Sequence, residues 1–264
     1  VLFGGSAFDG SEAVYVDSPI ARVLNGQLAQ WAARLAAQRP LRIVEIGAGT
    51  GGTSRTVLDA LRGLPVTRYC YTDVSPLFLE RARPRFGEEG FIDYRLLDIE
   101  QPIADQGFTA GEFDLVIAAN VLHATRSIAD TLRQVRELLA PGGYLLLREC
   151  TAQRLSADLS FGMTEGWWRF EDHALRADYP VLSVAQWERQ LALAGFEHTL
   201  GLPPSEASAE ALIVAQASAV DRAEHWLVVH DGQGGGCVAQ LAHERIACRE
   251  LSWADALEAD PARE

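Results

Sequence analysis

The stretch VEIGAGTGG, residues 44–52, decides the fold, because it joins a short apolar strand to a helix through a turn of closely spaced glycines. Glycine permits the tight turn and lets a ligand approach the backbone to van der Waals distance. Nicotinamide enzymes, flavoproteins and structural turns use similar spacings, so the glycines alone indicate a nucleotide-type site only in general terms. Glu45 stands two residues before Gly47. A carboxylate at this place disfavours a pyrophosphate and attracts a cationic or amine-bearing ligand.

Two further acidic residues follow predicted strands at the same edge of the sheet. Asp73 ends the second strand, where a carboxylate is suited to accept both hydroxyls of a ribose, and Asp98 follows the third, where it is suited to accept from an adenine amino group. Ligands of open α/β sheets bind at the carboxyl ends of the strands. Together with Glu45, these acids predict a site for S-adenosyl-L-methionine, a nucleoside that carries a sulfonium and an amino group and no phosphate.

Apolar runs and amphipathic stretches alternate from about residue 41 to residue 217, which is typical of an α/β fold with helices on both faces of a parallel sheet. The predicted strands span residues 41–46, 68–72, 92–97, 113–119, 144–148, 196–200, 211–215 and 225–231. The predicted helices span residues 19–37, 53–61, 76–83, 127–139 and 183–194. The strands over 196–200 and 211–215 are joined by a short loop, so we expect this pair to be antiparallel.

The chain is predicted to divide into a leading segment, a core and the start of another unit. Residues 1–40 form the leading helical segment, and residues 41–217 form the core. Within the core, residues 151–182 are rich in aromatic and charged residues without a clear period, which is typical of an insertion that covers a site. Residues 218–264 begin a new unit. Since Met163 is the only methionine, we expect the chain to be a piece of a longer polypeptide.

The excess of acidic residues disfavours several classes of partner. The 264 residues include 23 Lys+Arg and 36 Asp+Glu, which gives a formal net charge of −13, so we expect no nucleic-acid partner.

The sequence contains neither an apolar run long enough for a membrane span nor a signal peptide, so we expect a cytoplasmic protein without membrane contact. Single, widely spaced cysteines give no reason to expect disulfides or a metal site; they are Cys70, Cys150, Cys237 and Cys248.

A second group of polar residues follows the fourth and fifth strands. The run NVLHAT, residues 120–125, brings Asn120 and His123 to the same sheet edge, and Glu149 comes directly after the fifth strand. Adjacent strand ends place His123 and Glu149 within hydrogen-bond reach of each other. A carboxylate in that position orients the imidazole and raises its basicity, so we predict that this pair acts as a general base.

Several motifs taken together resemble the methyltransferase domains of modular type I polyketide synthases. The resemblance covers about residues 2–217, and it rests on residues 45–51, NVLHAT at 120–125, PGGYLLLRE at 141–149, Phe161 with GWW at 166–168, and Trp187 with AGF at 194–196. The glycine turn alone resembles class I methyltransferases in general, whereas the His123–Glu149 spacing and GWW indicate the subfamily. Residues 226–236 resemble the start of the ketoreductase structural subdomain that follows such domains.

The resemblance implies a class I methyltransferase fold: a Rossmann-like, seven-stranded, mostly parallel sheet with an antiparallel last strand. It implies S-adenosyl-L-methionine as methyl donor, an acyl carrier protein bearing a phosphopantetheine-linked polyketide as partner, and a neighbouring ketoreductase domain. His123 is implied as general base and Glu149 as its orienting partner. The implied donor-site residues are Glu45, Gly47, Ala48, Gly49, Gly51, Asp73, Val74, Asp98, Ile99 and Asn120. The implied contacts of the acyl substrate are Tyr15, Phe161, Trp167 and Trp168.

The identity of the methylated atom stays open at this stage. Carbon methyltransferases of this family usually have a long helical lid before the glycine turn, and this chain has only 40 residues before Leu41. This difference favours O-methylation of a β-hydroxyl over methylation of the α-carbon of a β-ketoacyl chain. The domain could also be an inactive structural unit or a nicotinamide-dependent enzyme, and Glu45 argues against the second of these.

The aromatic rings of the covering segment either contact the acyl chain or only pack a lid onto the core. Arg154, Arg169 and Arg176 are candidate contacts for an acidic carrier protein.

Overall fold

The computed structural model describes residues 18–87, 90–205, 208–219, 226–230 and 248–252. Tyr15, one of the expected substrate contacts, lies outside these residues. The chain divides into two compact units, one of residues 1–219 and one of residues 220–264.

The first unit alternates strands and helices in the predicted way. Its strands are β1 (Leu41–Ile46), β2 (Val66–Asp73), β3 (Ile92–Leu96), β4 (Phe113–Ala119), β5 (Leu139–Cys150), β6 (Phe196–Leu202) and β7 (Glu210–Ala217). Its α-helices are α1 (Pro19–Ala36), α2 (Gly52–Leu61), α3 (Pro76–Phe86), α4 (Ile128–Leu138), α5 (Leu155–Ser160) and α6 (Val184–Leu193). Short 3₁₀ helices span Ala104–Gln106, Leu122–Ala124, Phe161–Met163 and Glu165–Trp168.

The seven strands form one sheet in the order β3-β2-β1-β4-β5-β7-β6. Strands β1 to β5 run parallel to one another, and β7 is antiparallel to both β5 and β6. The predicted seven-stranded, mostly parallel sheet with an antiparallel last strand is therefore confirmed. Because the chain crosses from β3 back to a place beside β1, the strand order reverses between β1 and β4, and a crevice opens at their carboxyl ends.

Buried apolar residues cover both faces of this sheet. Leu145 and Leu147 pack into the cluster on one face, whereas Leu146 packs into the cluster on the other, and all three are fully buried. A strand buried on both faces needs such a continuous apolar run, and each leucine contributes about 1.5–3 kcal/mol through burial. The carboxyl end of β5 is therefore held in place by residues that are buried on both faces of the sheet.

The helix ends follow from local capping. Ser18 caps α1 by accepting a hydrogen bond from the backbone N–H of Ala21 at 3.1 Å, and Pro19 fits the first turn because its missing N–H would have no partner there. Ser183 and Gln186 form a capping box at the start of α6. These caps set where the covering helices begin relative to the sheet.

Two element boundaries of the first unit differ from the prediction by three residues or more, and the others differ by at most two. Strand β5 begins at Leu139 and includes Pro141, Gly142 and Gly143, because Leu139 pairs with Phe113 and the extra residues form an irregularity in the ladder before Tyr144 pairs with Leu115. Helix α3 continues through Pro84 to Phe86, three residues beyond its predicted end.

The second unit contains two described strands, β8 (Trp226–His230) and β9 (Cys248–Ser252), which pair in parallel. The predicted strand over 225–231 is confirmed within one residue at each end, and β9 was not predicted. Within the described residues, no helix is long and apolar enough to cross a membrane.

Candidate functional site

Two cavities lie at the carboxyl ends of β1, β4 and β5. The smaller, of about 160 Å³, is lined by the glycine turn and is called here the glycine-turn cavity. The larger, of about 430 Å³, is lined by His123 and by the covering segment 151–182 and is called the lid cavity. Asn120 and Arg148 line both, so the two cavities meet at these side chains.

Two glycines of the turn are required by their backbone conformation and by the side chains packed against them. Gly47 has a φ of +59°, and a Cβ there would lie 2.4 Å from Cγ2 of Val121. Gly51 has a φ of +78°, and its Cβ would lie 2.7 Å from Cε2 of Phe86. Both positions therefore require glycine. Gly47 lets Val121, in the turn after β4, pack against it, and Gly51 does the same for Phe86 at the end of α3.

Five predicted donor-site residues line the glycine-turn cavity: Glu45, Gly47, Ala48, Gly49 and Asn120. The other predicted residues lie outside this lining and stay predictions as donor contacts; they are Gly51, Asp73, Val74, Asp98 and Ile99. The Val74 side chain is exposed, and the Ile99 side chain packs into the core.

Glu45 is a buried carboxyl at the wall of the glycine-turn cavity. Its Oε2 accepts hydrogen bonds from the hydroxyls of Ser54 and Tyr69, both at 2.6 Å, and only 1% of the residue is exposed. Burial raises the pKa of Glu45 to about 7, against the lowering effect of the two hydroxyls. A positive charge placed in the cavity would favour the ionised form, so this carboxyl is suited to a cationic ligand.

The carboxylates of Asp73 and Asp98 accept hydrogen bonds from nearby backbone N–H groups. Asp73 accepts from the N–H of Gly49 at 3.0 Å and from the N–H of Ser75 at 2.9 Å, and so ties the glycine turn to the end of β2. Burial raises the pKa of Asp73 above its ordinary value. Asp98 accepts from the N–H of Glu100 at 3.0 Å.

The predicted contact between His123 and Glu149 is present. His123 Nδ1 lies 2.5 Å from Glu149 Oε2, and Glu149 is completely buried. The other oxygen of Glu149 accepts from the backbone N–H groups of Val121 and Leu122, at 3.1 Å and 2.9 Å. An ionised carboxylate is an acceptor only, so we assign the proton of the imidazole to Nδ1. Nε2 then carries the lone pair of the imidazole, and His123 lines the lid cavity.

Asn120 sits at the junction of the two cavities in a left-handed conformation, with a φ of +52°. Its backbone N–H donates to the carbonyl of Arg148 at 2.7 Å, and its side-chain oxygen accepts from the N–H of Cys150 at 2.9 Å. Asparagine adopts this conformation more readily than most residues. These bonds to β5 hold the Asn120 amide between the two cavities.

The covering segment forms the aromatic wall of the lid cavity. Phe161 and Trp167 line it, with ring centroids 5.9 Å apart, and the edge of Trp167 meets His123 at a centroid distance of 5.2 Å. Trp168 lies outside this lining, is 47% exposed, and donates its indole N–H to the carbonyl of Gly162 at 2.7 Å. Of the rings expected at the acyl chain, Trp167 lies next to His123, and Phe161 stacks on Trp167.

Sequence reasoning missed a buried polar network beneath both cavities. Arg148 donates to Asn25 on α1 at 2.9 Å and to Glu210 on β7 at 2.8 Å, and Glu210 also pairs with Arg154 at 2.7 Å. A charged residue inside the run LLLRE and an asparagine on the apolar side of α1 were the available signals. Arg148 and Asn25 are 123 residues apart in the sequence, so no local pattern indicated their contact.

One expected surface contact is corrected by the structure. Arg176, a candidate contact for a carrier protein, is 2% exposed and donates to backbone carbonyls, so it presents no charge to a partner. Arg154 and Arg169 are partly exposed. Among the residues that the structure describes, no three metal-ligating side chains cluster.

Comparisons with known proteins agree on one family. A family model described as a methyltransferase domain matches residues 44–145. Polyketide synthase ThaQ from Burkholderia thailandensis is 42% identical over 229 residues, which cover 82% of this chain and 11% of that protein. The chain therefore spans only a small part of this curated relative.

Two solved structures are similar over most of the chain. The CurJ carbon methyltransferase superposes with a TM-score of 0.77 at 41% identity, covering 80% of this chain and 58% of that chain. The trans-methyltransferase CalH, in complex with SAH, superposes with a TM-score of 0.71 at 35% identity, covering 82% of this chain and 61% of that chain.

Proposed function

The chain belongs to the S-adenosyl-L-methionine-dependent methyltransferase domains of polyketide synthases, and from this premise we propose that it methylates the α-carbon of a β-ketoacyl chain. One observation carries the proposal: His123, bonded through Nδ1 to Glu149, lines the lid cavity, and this cavity shares Asn120 with the glycine-turn cavity. A base and a donor site that share a wall are what methyl transfer to a weakly acidic carbon requires.

The residues of the glycine-turn cavity fit the donor. Bound S-adenosyl-L-methionine supplies an electrophilic methyl group on a positively charged sulfur. Glu45 offers a carboxyl whose ionisation a cation favours, and Gly47 and Gly49 leave room for the ligand beside the backbone. We propose that Gly51, Asp73, Val74, Asp98 and Ile99 complete this site around the nucleoside.

The His123–Glu149 pair supplies the proton transfer. Nε2 of His123 would accept the α-proton, and the electron pair of the broken C–H bond would stay on the substrate as an enolate. The enolate carbon would form the new C–C bond to the methyl group while the methyl–sulfur bond of the donor breaks, and the electron pair of that bond would leave with the sulfur as S-adenosylhomocysteine. Glu149 keeps the other proton of the imidazole on Nδ1 and balances the charge that develops on the ring. General-base help of this kind is worth about 10²–10⁴ in rate.

Carbon is preferred to oxygen for a chemical reason. An α-proton between two carbonyl groups is far more acidic than a hydroxyl proton, so it suits an imidazole base. The carbon methyltransferase CurJ, at 41% identity, supports the same choice. O-methylation of a β-hydroxyl, which the sequence alone favoured, is the second candidate, because a carboxylate-oriented histidine also activates hydroxyl nucleophiles.

We propose that the acyl chain arrives on the phosphopantetheine arm of an acyl carrier protein and that a ketoreductase domain is among the neighbours in the synthase. The relative ThaQ is a polyketide synthase, which supports other synthase domains as neighbours. The acyl chain would enter the lid cavity beside Phe161 and Trp167, with its α-carbon near His123.

The test offers the protein β-ketoacyl and β-hydroxyacyl pantetheine thioesters in parallel, each with S-adenosyl-L-methionine, and locates any new methyl group by mass-spectrometric fragmentation. We expect an α-methyl group on the β-ketoacyl substrate and none on the β-hydroxyacyl substrate, with loss of the product in the His123→Ala variant. Methylation of the β-hydroxyl alone would replace the proposal with its second candidate. Absence of methylation together with absence of donor binding in calorimetry would favour an inactive structural domain.

A further inference from the structure

One buried arginine of the covering segment holds the backbone that carries His123. Arg176 is 2% exposed. Its guanidinium donates to the carbonyl of His123 at 2.7 Å, to that of Thr125 at 2.8 Å and to that of Arg126 at 3.0 Å. All three carbonyls belong to the turn between β4 and α4. The contact therefore joins the covering segment to the turn that carries His123.

Asp172 completes this attachment. Its Oδ1 accepts from Nε of Arg176 at 2.5 Å, and its Oδ2 accepts from the backbone N–H of Ile128 at 2.9 Å, at the start of α4. The buried positive charge is thereby paired, and the turn is bonded at both its carbonyl and its amide groups. A planar guanidinium with donors in fixed directions suits several carbonyls at once, which the single ammonium group of lysine cannot match.

His123 is consequently fixed from two sides. Glu149 bonds the ring at Nδ1, and Arg176 bonds the main-chain carbonyl of the same residue. A base must lie within a fraction of an ångström of its productive position, and a displacement of about 1 Å costs on the order of 10²-fold in rate.

On the basis of the proposed function, we propose that Arg176, paired with Asp172, is a positioning residue for the base His123. Arg176 bonds carbonyls of residues 123–126, and no residue of the covering segment 151–182 lines the glycine-turn cavity. We therefore expect the base to depend on this contact more than the donor site does.

The test compares Arg176→Lys and Asp172→Asn with a matched control, Arg136→Lys. Arg136 also donates to backbone carbonyls, those of Leu139 and Ser218, both at 3.2 Å, but at the opposite edge of the sheet. We expect kcat for methyl transfer to fall about 10–100-fold in Arg176→Lys and about 3–10-fold in Asp172→Asn. Donor affinity measured by calorimetry should stay within about twofold, and Arg136→Lys should leave kcat unchanged.

A double-mutant cycle separates positioning from general destabilisation. If Arg176 acts through His123, adding Arg176→Lys to His123→Ala lowers the residual single-turnover rate by less than about twofold. Additive losses, or an unchanged kcat in a folded Arg176→Lys or Asp172→Asn protein, would overturn the inference. Should Arg176→Lys not fold, Asp172→Asn gives the decision. A wild-type protein that binds the donor and methylates no substrate would instead count against the proposed function.

Discussion

Replacing Glu149 by glutamine tests the proposed base with the smallest change of shape. Glu149 Oε1 accepts the backbone N–H groups of Val121, Leu122 and His123, and the amide oxygen of glutamine preserves an acceptor for them. The amide nitrogen then faces Nδ1 of His123, where Glu149 Oε2 lies at 2.5 Å. Because that nitrogen only donates, it favours the tautomer with the proton on Nε2, and the lone pair that faces the lid cavity is lost.

The expected loss in rate is that of the whole general-base contribution, about 10²–10⁴ in kcat, which corresponds to about 3–5.5 kcal/mol of activation free energy. Stability should change less. The bonds from Val121 and Leu122 lose the assistance of the negative charge but keep an acceptor, so we expect the free energy of unfolding to fall by about 1–2 kcal/mol.

The assay is single-turnover transfer of a labelled methyl group to a β-ketoacyl pantetheine thioester, with donor affinity measured separately by calorimetry. The matched control is Glu112→Gln, because Glu112 also accepts a backbone N–H, that of Thr109, but lines neither cavity. A folded Glu149→Gln protein with a rate within about threefold of wild type would refute the assignment of the base.

Two further predictions concern the glycine-turn cavity. Gly47→Ala should destabilise the protein by about 1–3 kcal/mol and weaken donor binding, because the new Cβ meets Val121 at 2.4 Å in a left-handed conformation; thermal unfolding and calorimetry check this, and unchanged values for both would contradict it. For Glu45, burial raises the pKa from 4.5 to about 7, so the folded protein retains a proton that the unfolded chain releases. The resulting stability is complete below pH 4.5 and declines as the pH rises to about 7, by about 3 kcal/mol relative to Glu45→Gln. Urea unfolding of both proteins across this range checks the sign, and parallel pH profiles would show that the pKa is not raised.

Sequence patterns predicted the elements whose burial is uniform along their length. Strands β1 and β4 have their predicted bounds, because each is an apolar run with breaking residues at both ends. The start of β5 was not predicted, since Pro141, Gly142 and Gly143 normally interrupt a strand. Here the pairing of Leu139 with Phe113 on β4 overrides the local preference, and the irregular ladder accommodates these residues.

For the site, prediction succeeded where the fold alone determines proximity. Parallel neighbouring strands bring their carboxyl ends together, so His123 after β4 and Glu149 at the end of β5 could be paired from the sequence. Arg176 could not be placed in this way. Its partners are main-chain carbonyls, which leave no trace in the sequence, and it lies in a segment without periodicity.

The buried carboxylates at the sheet edge differ in what satisfies them, and this difference separates their roles. Glu149 receives backbone N–H groups and the imidazole, and Asp73 receives two backbone N–H groups, so both are supplied with donors by the protein itself. Glu45 receives only neutral hydroxyls, from Ser54 and Tyr69, and these fail to offset its burial, so its pKa is raised to about 7. Burial also raises the pKa of Asp73, against its two backbone donors, but Glu45 has only hydroxyl donors among the described residues and a pKa of about 7. A cation in the cavity, such as the proposed donor brings, therefore favours the ionised form of Glu45.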